Sequence, residues 1–322
     1  MAYNPQDHLI DLFGGQHDIR QKIIRCVGNP DTRFREDALR ILRALRFATT
    51  LDFDLEEKTE KALFDNRKLL LNISGERISA ELNKILMGDN IHIFLMKYFE
   101  IFCVSIPELK LLQNNEQQNP YHIYDILTHT AFCLQHAKKD IMIRLTMLFH
   151  DIGKPECKTT ENGIHHFYGH SKKSVNIAKS ILKRLKYDQQ TIETVTTLIL
   201  YHDTTLTDSK KSIKRWLNKI GEERFRQLLE VKYADTMAKS EKAKHEKLPL
   251  LKRISELLEE IISSKQCFSI KDLAIDGNDL INIGIPEGKE IGQILKHLLE
   301  LVIDEEIENQ KEELLKVLRD AQ

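Results

Sequence analysis

Apolar residues recur at intervals of three and four along most of this chain, with polar residues between them. Leu39, Leu42 and Leu45 are a clear example, and this spacing places apolar side chains on one face of an α-helix. The helical pattern starts at Asp31 and predicts helices over residues 56–66, 77–87, 90–99, 122–138, 140–151, 170–186, 190–202, 210–219, 222–240, 246–264, 273–283 and 289–304, with a final amphipathic stretch to residue 320. We therefore expect a mainly α fold.

Residues 1–30 have a different pattern, in which short apolar runs alternate with turn residues. The apolar runs at 9–10 and 23–27 flank Gly14 and Gly15 and predict short strands. Two short strands do not form a stable sheet alone, so either they pack on helices or their sheet partners are missing. The predicted fold is thus a multi-helix body with a small β remnant at its N-terminus.

A polar tract over residues 113–120 interrupts the helical pattern and is the strongest domain boundary in the sequence. We predict four segments along the chain: 1–30, 31–112, 113–240 and 241–322.

The composition is that of a folded protein, since 41% of the 322 residues are hydrophobic. The formal net charge is only -1, so an RNA partner must be bound by local basic faces. The five cysteines include no Cys-x-x-Cys pair, which is typical of a reduced, cytosolic protein. The chain begins without the features of a signal peptide and contains no apolar run of membrane-spanning length. We expect a cytoplasmic protein without membrane contacts, and the oligomeric state stays open.

The apolar run over residues 145–154 contains His150 and Asp151, directly before the Ile152-Gly153 turn. Burying an imidazole and a carboxylate is unfavourable unless each is hydrogen-bonded, paired or bound to a metal. Other candidate ligands lie in separate predicted helices, so that a bundle could direct them to one centre: His129, His170, His202 and Asp235. These six residues predict a site for one or two divalent ions of Mn, Ni, Co, Fe, Zn or Mg. Taken alone, each histidine could equally be structural, as could His165 and His166 in a predicted loop.

The order of these residues resembles the HD superfamily of metal-dependent phosphohydrolases. The resemblance implies four defining ligands, with two more histidines for a second ion: His129, His150, Asp151 and Asp235, then His170 and His202. It also implies an HD-type helical domain over 113–240 and catalysis by His150, Asp151 and Lys154. Lys154 would neutralise a phosphate, or alternatively cap its helix as a solvated lysine. Asp203 is an alternative to Asp235, which we favour because residues 233–238 are predicted to form a buried helix face.

Four stretches near the N-terminus are similar to successive motifs of the bacterial tRNA nucleotidyltransferases, which are CCA-adding enzymes and related poly(A) polymerases. The matching stretches are Met1 to Asn4, Asp11 to Asp18, Arg33 to Phe47 and Ser74 to Leu82. With the HD block and the tail, the resemblance covers essentially the whole chain. It implies a head remnant and hinge over 1–30, a nucleotide-templating and RNA-binding neck over 31–112, and a tail over 241–322 that contacts tRNA.

The resemblance assigns Asp37 and Arg40 to selection of CTP or ATP, and Gly14 and Gly15 to a hinge. A carboxylate and a guanidinium one helical turn apart can pair with the Watson–Crick edge of cytosine or adenine. For this spacing alone, the alternative is an ordinary ion pair within a helix. Residues 74–82 match the segment that supports the templating helix, with ion pairs from Arg77 and Glu81.

In this family, the carboxylates that hold the catalytic metal ions lie in a head domain that precedes the motif found here at residues 1–4. We therefore expect that the head is absent and that Met1 corresponds to an internal methionine of a longer polypeptide. On this interpretation the chain alone performs no nucleotidyl transfer, and it binds CTP or ATP only with a head domain. The expected activity is hydrolysis of phosphomonoesters or 2′,3′-cyclic phosphates of nucleotides or RNA ends. The alternative is a non-catalytic module that binds tRNA and templates the nucleotide.

The tail carries a glycine-rich turn between two predicted helices. Gly284, Gly288 and Lys289 are candidate RNA-binding residues, because glycine allows backbone amides at a helix N-terminus to approach a phosphate closely. A simple helix–helix turn is the alternative, since Glu287 and Glu290 would repel phosphate. A second basic segment could bind RNA, but we expect a solvated face there: Lys210, Lys211, Lys214 and Arg215.

Overall fold

The structure, a computed structural model, describes residues 2–6, 8–118 and 120–320. Met1 of the first motif and Asn119 of the polar tract lie outside the described residues. The chain is mainly helical, as predicted. The helices of its first half are α1 (Gly15–Gln21), α2 (Pro30–Glu36), α3 (Leu39–Leu51), α4 (Glu57–Asn66), α5 (Gly75–Leu86), α6 (Ile91–Lys97), α7 (Phe99–Ser105), α8 (Ile126–His136) and α9 (Ile141–Phe149).

The second half is also built from helices, and their positions agree closely with the predicted ones. They are α10 (His170–Arg184), α11 (Gln189–Tyr201), α12 (Lys210–Ile220), α13 (Glu222–Met237), α14 (Glu241–Ser263), α15 (Gly277–Asn282), α16 (Lys289–Ile303) and α17 (Lys311–Asp320). Short 3-10 turns occur at 67–72, 107–112, 154–157 and 270–272. No helix among the described residues has the length and apolar character needed to cross a bilayer.

The strands form three separate two-stranded sheets. β1 (Ala2–Asn4) pairs antiparallel with β2 (His8–Ile10), and β3 (Ile23–Ile24) pairs parallel with β4 (Asp54–Leu55). β5 (Thr159–Glu161) and β6 (Ile164–His166) form an antiparallel hairpin. The predicted confinement of strands to the N-terminus is therefore wrong. Strands of two or three residues are too short to show an alternating pattern of apolar and polar residues. In addition, β4, the partner of β3, lies in a stretch whose sequence resembles a turn.

Aspartate side chains begin several of the helices in the histidine-rich part of the chain. Asp125 accepts a hydrogen bond from the Thr128 amide at 3.0 Å, Asp140 from the Met142 amide at 2.8 Å, and Asp188 from the Thr191 amide at 2.8 Å. Such caps satisfy amides that have no partner within the helix and stabilise its start by about 1 kcal/mol each. They set where α8, α9 and α11 begin, and hence where their histidines lie.

The chain divides into two compact units, Met1–Asp203 with Glu230–Lys244, and Thr204–Leu229 with His245–Gln322. In the first unit α3 packs on α5, α6 on α8, and both α9 and α10 on α11. The predicted boundary at residues 112 and 113 falls inside this unit. The second unit has its own core, in which α15 packs on α16 around residues such as Leu280, Leu298 and Leu299. The two units do not correspond to the four predicted segments, which stay a prediction.

Candidate metal centre and base-selecting segment

Three predicted ligands from different helices meet in the interior of the first unit. The Nε2 atom of His129, on α8, lies 3.1 Å from Oδ1 of Asp235, on α13. The same Nε2 atom lies 3.4 Å from Nε2 of His150, which ends α9. All three side chains are buried.

Asp151 lies between this group and a second pair of histidines. Its Oδ2 atom is 3.3 Å from Nε2 of His150, and its Oδ1 atom is 3.5 Å from Nε2 of both His170 and His202. The two Nε2 atoms of the second pair are 3.2 Å apart. The structure therefore brings together all six residues that the sequence predicted as metal ligands.

In each of the four histidines the other ring nitrogen, Nδ1, faces a backbone carbonyl oxygen. The partners of His150, His170 and His202 are the carbonyls three residues earlier, at 2.8, 2.8 and 2.7 Å, while His129 faces the carbonyl of Ala238 at 3.3 Å. We assign the Nδ1 proton to these contacts, since carbonyl oxygens only accept. Each Nε2 atom of a neutral ring then directs a lone pair into the centre, which is the arrangement of metal-binding histidines.

The electrostatics of the centre favour a bound cation. Burial lowers the pKa of His129, and it lowers that of His170 to about 4, so both rings are neutral at physiological pH. Although burial opposes ionisation, His150 and Lys154 hold the pKa of Asp151 well below its usual range, and Lys239 does the same for Asp235. The carboxylates beside His150, Asp151 first, raise the pKa of that histidine against the effect of its burial. The centre thus combines ionised carboxylates with the neutral imidazoles of His129 and His170, which are forms that bind metals.

Two buried lysines pair with these carboxylates. Nζ of Lys154 lies 2.6 Å from Oδ2 of Asp151 and donates to Oε1 of Gln117 at 2.8 Å. Nζ of Lys239 lies 2.5 Å from Oδ2 of Asp235, which leaves Oδ1 directed at His129. Lys154 is only 5% exposed, so the alternative of a solvated lysine at a helix end is wrong.

The donor set fits a divalent ion. Oδ2 of Asp151 pairs with Lys154, but no group among the described residues donates a hydrogen bond to the buried Oδ1 atom, although such oxygens normally have a donor. Ligands held about 2.1 Å from one tetrahedral ion lie about 3.4 Å apart, which is close to the spacing of the His129 and His150 nitrogens. Nitrogen and oxygen donors together suit Mn, Fe, Co, Ni or Zn.

Of the other residues considered as metal ligands, some lie in the centre and some do not. Asp203 is exposed at the end of α11, whereas Asp235 is buried in the centre, as we favoured. His165 and His166 lie on the β5–β6 hairpin and outside both ligand groups.

Sequence reasoning missed two residues of the centre, Cys133 and Lys239. Cys133 lies one helical turn after His129, and Lys239 lies one turn after Asp235. The spacing puts Cys133 on the same face of α8 as His129, so it was an available signal, whereas Lys239 lies just past the end of α13.

The Asp37 and Arg40 segment does not form a continuous helix, contrary to the pattern from Asp31. α2 ends at Glu36, and Asp37 has an extended backbone before α3 begins at Leu39. An Oδ atom of Asp37 accepts from the Leu39 amide at 3.2 Å, so this short side chain stabilises the break. The assumed spacing of one helical turn between the two side chains is therefore wrong.

The side chains of Asp37 and Arg40 do not pair with each other; each is held by other groups. Nη2 of Arg77 donates to both Asp37 oxygens, at 3.1 and 3.0 Å. Nη1 of Arg40 donates to the carbonyl of Arg33 at 2.9 Å and to Glu36 at 2.7 Å. An ordinary ion pair is present in this motif, but it joins Arg40 to Glu36 and not to Asp37.

Residues 74–82 form ion pairs with the segment that contains Asp37 and with α3, as the resemblance implied for Arg77 and Glu81. Besides the Arg77–Asp37 pair, Nε of Arg46 on α3 lies 3.3 Å from Oε2 of Glu81 on α5. Glu81 is buried, so this pair links the two packed helices inside the core.

The predicted hinge and RNA-binding glycines lie at helix ends. Gly14 adopts a positive φ of 71° just before α1, whose first amide, of Gly15, is capped by Asp11 at 2.8 Å. Gly284 has a φ of 96° after α15, and Gly288 directly precedes Lys289, the exposed first residue of α16. Hinge and RNA-binding roles stay predictions.

The basic helix α12 is neutralised within the second unit. Its cations pair with acidic residues: Lys210 with Glu260, Lys211 and Arg215 with Asp304, and Lys214 with Glu305. These pairs argue against an RNA-binding face, although Lys214 is buried and not solvated as expected.

Two family models match this chain. Residues 156–318 match tRNA nucleotidyltransferase domain 2, and residues 52–112 match "Probable RNA and SrmB-binding site of polymerase A". The first match covers just over half of the chain.

Curated relatives align along nearly the whole chain. The CCA-adding enzyme of Bacillus licheniformis is 30% identical over 97% of this chain and 67% of its own length. That of Lactobacillus helveticus is 28% identical over 99% of this chain and 69% of its own length. The A-adding tRNA nucleotidyltransferase of Deinococcus radiodurans is 26% identical over 91% and 70%. This chain thus spans about two thirds of the length of these relatives.

The fold is also similar to that of solved structures. The Bacillus stearothermophilus CCA-adding enzyme in complex with CTP superposes with a TM-score of 0.66 at 23% identity, over 99% of this chain and 71% of that one. The Thermotoga maritima CCA-adding enzyme complexed with tRNA gives 0.56 at 20%, over 99% and 70%.

These matches overturn the predicted activity. We expected an HD-type phosphohydrolase and no nucleotidyl transfer, but the relatives that match nearly the whole chain are CCA-adding enzymes. The predicted hydrolase activity is therefore wrong, because a ligand geometry does not by itself determine a reaction. That His150, Asp151 and Lys154 belong to a functional site stays a prediction. The expectation that a head domain is absent stays a prediction, since the matches run along nearly all of this chain and about two thirds of the relatives' length. The chain belongs to the tRNA nucleotidyltransferase family.

Proposed function

We propose that this chain selects the incoming nucleotide and holds tRNA during the addition of nucleotides to the tRNA 3′ end. The relatives support this proposal, since they are CCA-adding and A-adding enzymes. Solved structures of similar fold contain CTP in one case and tRNA in another.

The observation that carries the proposal is the way Asp37 and Arg40 are held at the break between α2 and α3. Arg77 orients the Asp37 carboxylate, and Glu36 with the Arg33 carbonyl orients the Arg40 guanidinium. Neither side chain is fully buried. Both can therefore offer a base an acceptor and a fork of donors in fixed positions.

The chemistry of the bases predicts which nucleotides bind. Cytosine and adenine each present an exocyclic amine, which can donate a hydrogen bond to a carboxylate. Beside it lies a ring nitrogen, which can accept a hydrogen bond from a guanidinium. Uracil presents a carbonyl in place of that amine. Its oxygen and the Asp37 carboxylate are both acceptors, so no hydrogen bond can form between them. We therefore expect CTP and ATP to bind and UTP to be disfavoured.

Calorimetric titration of CTP, ATP and UTP into the purified chain tests this selection. We expect UTP to bind at least about tenfold more weakly than CTP, and D37A to remove most of that difference, since one lost polar pair is worth about 1.4 kcal/mol. D65N is the matched control, because Asp65 is an exposed acid on α4 that pairs with Lys61. Equal binding of CTP and UTP by the unaltered chain would refute base selection by this segment.

We further propose that the turn between α15 and α16 contacts the tRNA backbone through Gly284, Gly288 and Lys289. The amides at the start of α16 and the Lys289 ammonium both favour a phosphate. K289E should weaken binding of a tRNA transcript and reduce the slope of log affinity against log salt by about one unit. K296E on the same helix is the control, and an identical loss in both variants would contradict a specific contact at this turn.

The third proposal is a divalent metal centre formed by the six clustered residues. One ion would be held by His129, His150 and Asp235, the other by His170 and His202, with Asp151 available to both. The supporting observation is that Nε2 atoms approach each other at 3.4 and 3.2 Å while Nδ1 faces a carbonyl. Two facing lone pairs repel unless a cation lies between them. Two bound ions would supply that positive charge, and together they would link five helices: α8, α9 and α13 at one ion, α10 and α11 at the other.

Metal analysis by mass spectrometry and thermal unfolding with and without chelator test this centre. We expect one or two equivalents of a transition metal per chain and a lower Tm after chelation. H150A and H202A should each reduce the metal content, whereas H165A, on the β5–β6 hairpin, should not. A chain with no bound metal and a Tm that is insensitive to added Mn²⁺, Co²⁺ and Zn²⁺ would refute the centre.

A further inference from the structure

Cys133 adds a sulfur donor to the nitrogen and oxygen donors of the proposed metal centre. It lies on α8 one turn after His129, and its Sγ atom is 3.4 Å from the His129 Nε2 atom. The ligand atoms of Cys133, His129, His150 and Asp235 all lie within 4.8 Å of one another. The side chain is fully buried, so no exogenous ligand competes for this position.

We propose that Cys133 is a metal ligand, so that the first site has two nitrogens, one oxygen and one sulfur and takes Zn²⁺, Co²⁺ or Fe²⁺ in preference to Mg²⁺. The inference rests on the metal centre proposed above and specifies the ion that it binds. Thiolate is a soft ligand that suits these ions, whereas Mg²⁺ requires oxygen donors. On coordination the thiol proton is released to solvent and the sulfur binds as thiolate.

The spacing of the donors agrees with a shared ion. Metal–sulfur bonds of about 2.3 Å and metal–nitrogen bonds of about 2.1 Å place the two ligand atoms about 3.6 Å apart in a tetrahedral site. The observed separation is 3.4 Å. A second, independent sign of a ligand is Oδ1 of Asp151, which is buried and has no hydrogen-bond donor among the described residues, whereas Oδ2 pairs with Lys154.

The competing interpretation is a weak hydrogen bond in which the Cys133 thiol donates to the His129 lone pair. It would make Cys133 a small core residue with no preference for an ion. The two interpretations differ in one observable, which is whether a sulfur atom is bonded to the metal.

The test uses the full chain, stripped with chelator and reloaded with Co²⁺. Thiolate bound to Co²⁺ gives an intense charge-transfer band in the near ultraviolet, which thiols and histidines do not give. We expect this band in the unaltered chain, its loss in C133S, and its retention in C103S. Cys103 is the matched control because it is also buried and belongs to neither ligand group. Titration should show about a 10-fold to 100-fold loss of Co²⁺ affinity at one site in C133S.

The outcomes separate this inference from the metal centre itself. Bound Co²⁺ without the charge-transfer band in the unaltered chain would overturn the role of Cys133 and leave the centre in place. No bound Co²⁺ would overturn both. X-ray absorption of the Zn²⁺-loaded chain, which needs no variant, should detect a sulfur neighbour at about 2.3 Å; a first shell of nitrogen and oxygen alone would contradict the proposal.

Discussion

Arg144 on α9 is buried, 3% exposed, and its guanidinium donates to backbone carbonyls from several elements of the first unit. Nη1 donates to the carbonyls of Leu86 and Gly88, at 2.7 and 3.1 Å, and Nη2 to that of Ala137 at 3.0 Å. Leu86 ends α5, and Ala137 directly follows α8. One side chain thus satisfies carbonyls at two helix ends that have no partner within their helices.

Replacing Arg144 by methionine keeps much of the volume but removes these three hydrogen bonds and a longer fourth one, from Nε to the Lys138 carbonyl at 3.3 Å. Bonds to a charged donor are worth about 1.5–3 kcal/mol each, and the carbonyls left behind are buried. The charge itself is unfavourable there, since burial lowers the pKa of Arg144, and its removal offsets part of the loss. We expect a net destabilisation of about 3–4 kcal/mol, within the usual cost of breaking a buried charged network.

Urea unfolding followed by circular dichroism is the assay. Fluorescence is less suitable, because Trp216 lies in the second unit. R43M is the control, since Arg43 is an exposed residue of α3 and its loss should change stability by less than about 0.5 kcal/mol. R144K should recover only part of the stability, because an ammonium cannot reach all three carbonyls with fork geometry. A change below about 1 kcal/mol for R144M, with an unchanged m-value, would refute the assignment of Arg144 as a tether between these helix ends.

Two further predictions concern packing and pH. A Cβ added at Gly153 would lie 2.6 Å from the Ser174 amide nitrogen, so G153A should lower the free energy of unfolding in urea by about 1–3 kcal/mol. The control is G292A, at an open position in α16, which should raise it by about 0.5–1 kcal/mol. Equal effects of the two variants would contradict a steric role for Gly153. Arg184 hydrogen-bonds both oxygens of Glu108 and lowers the pKa of that carboxyl. The pKa of Glu108 is lower in the folded state than in the unfolded state, where it is about 4.3. The pair therefore stabilises the folded chain at pH values above the unfolded-state pKa, and this stabilisation is lost as the pH falls through the folded-state pKa. The Tm of E108Q should therefore be lower than that of the unaltered chain at pH 7 and converge with it towards pH 3; a constant difference across this range would be inconsistent with the pair.

The sequence by itself determined most of the helices and identified the ligand residues. Helical periodicity is a local property, so helices as long as α10, α11 and α16 follow from the spacing of their apolar residues. The predicted ligands are histidines and aspartates on apolar helix faces, and such groups need partners when they are buried. The motifs around Asp37 and Arg40 identified the family that the comparisons then showed.

Tertiary structure decided the contacts that no local pattern encodes. The break at Asp37 arises because its side chain bonds the Leu39 amide and Arg77, which lies 40 residues further along. The roles of Cys133 and Lys239 depend on helix packing that directs them towards the same centre as the ligands. The activity was assigned wrongly because a ligand set defines what can bind, whereas the reaction depends on what else the protein brings to the site. Spacing along the chain fixes which side chains share a helix face, and only packing fixes which faces meet.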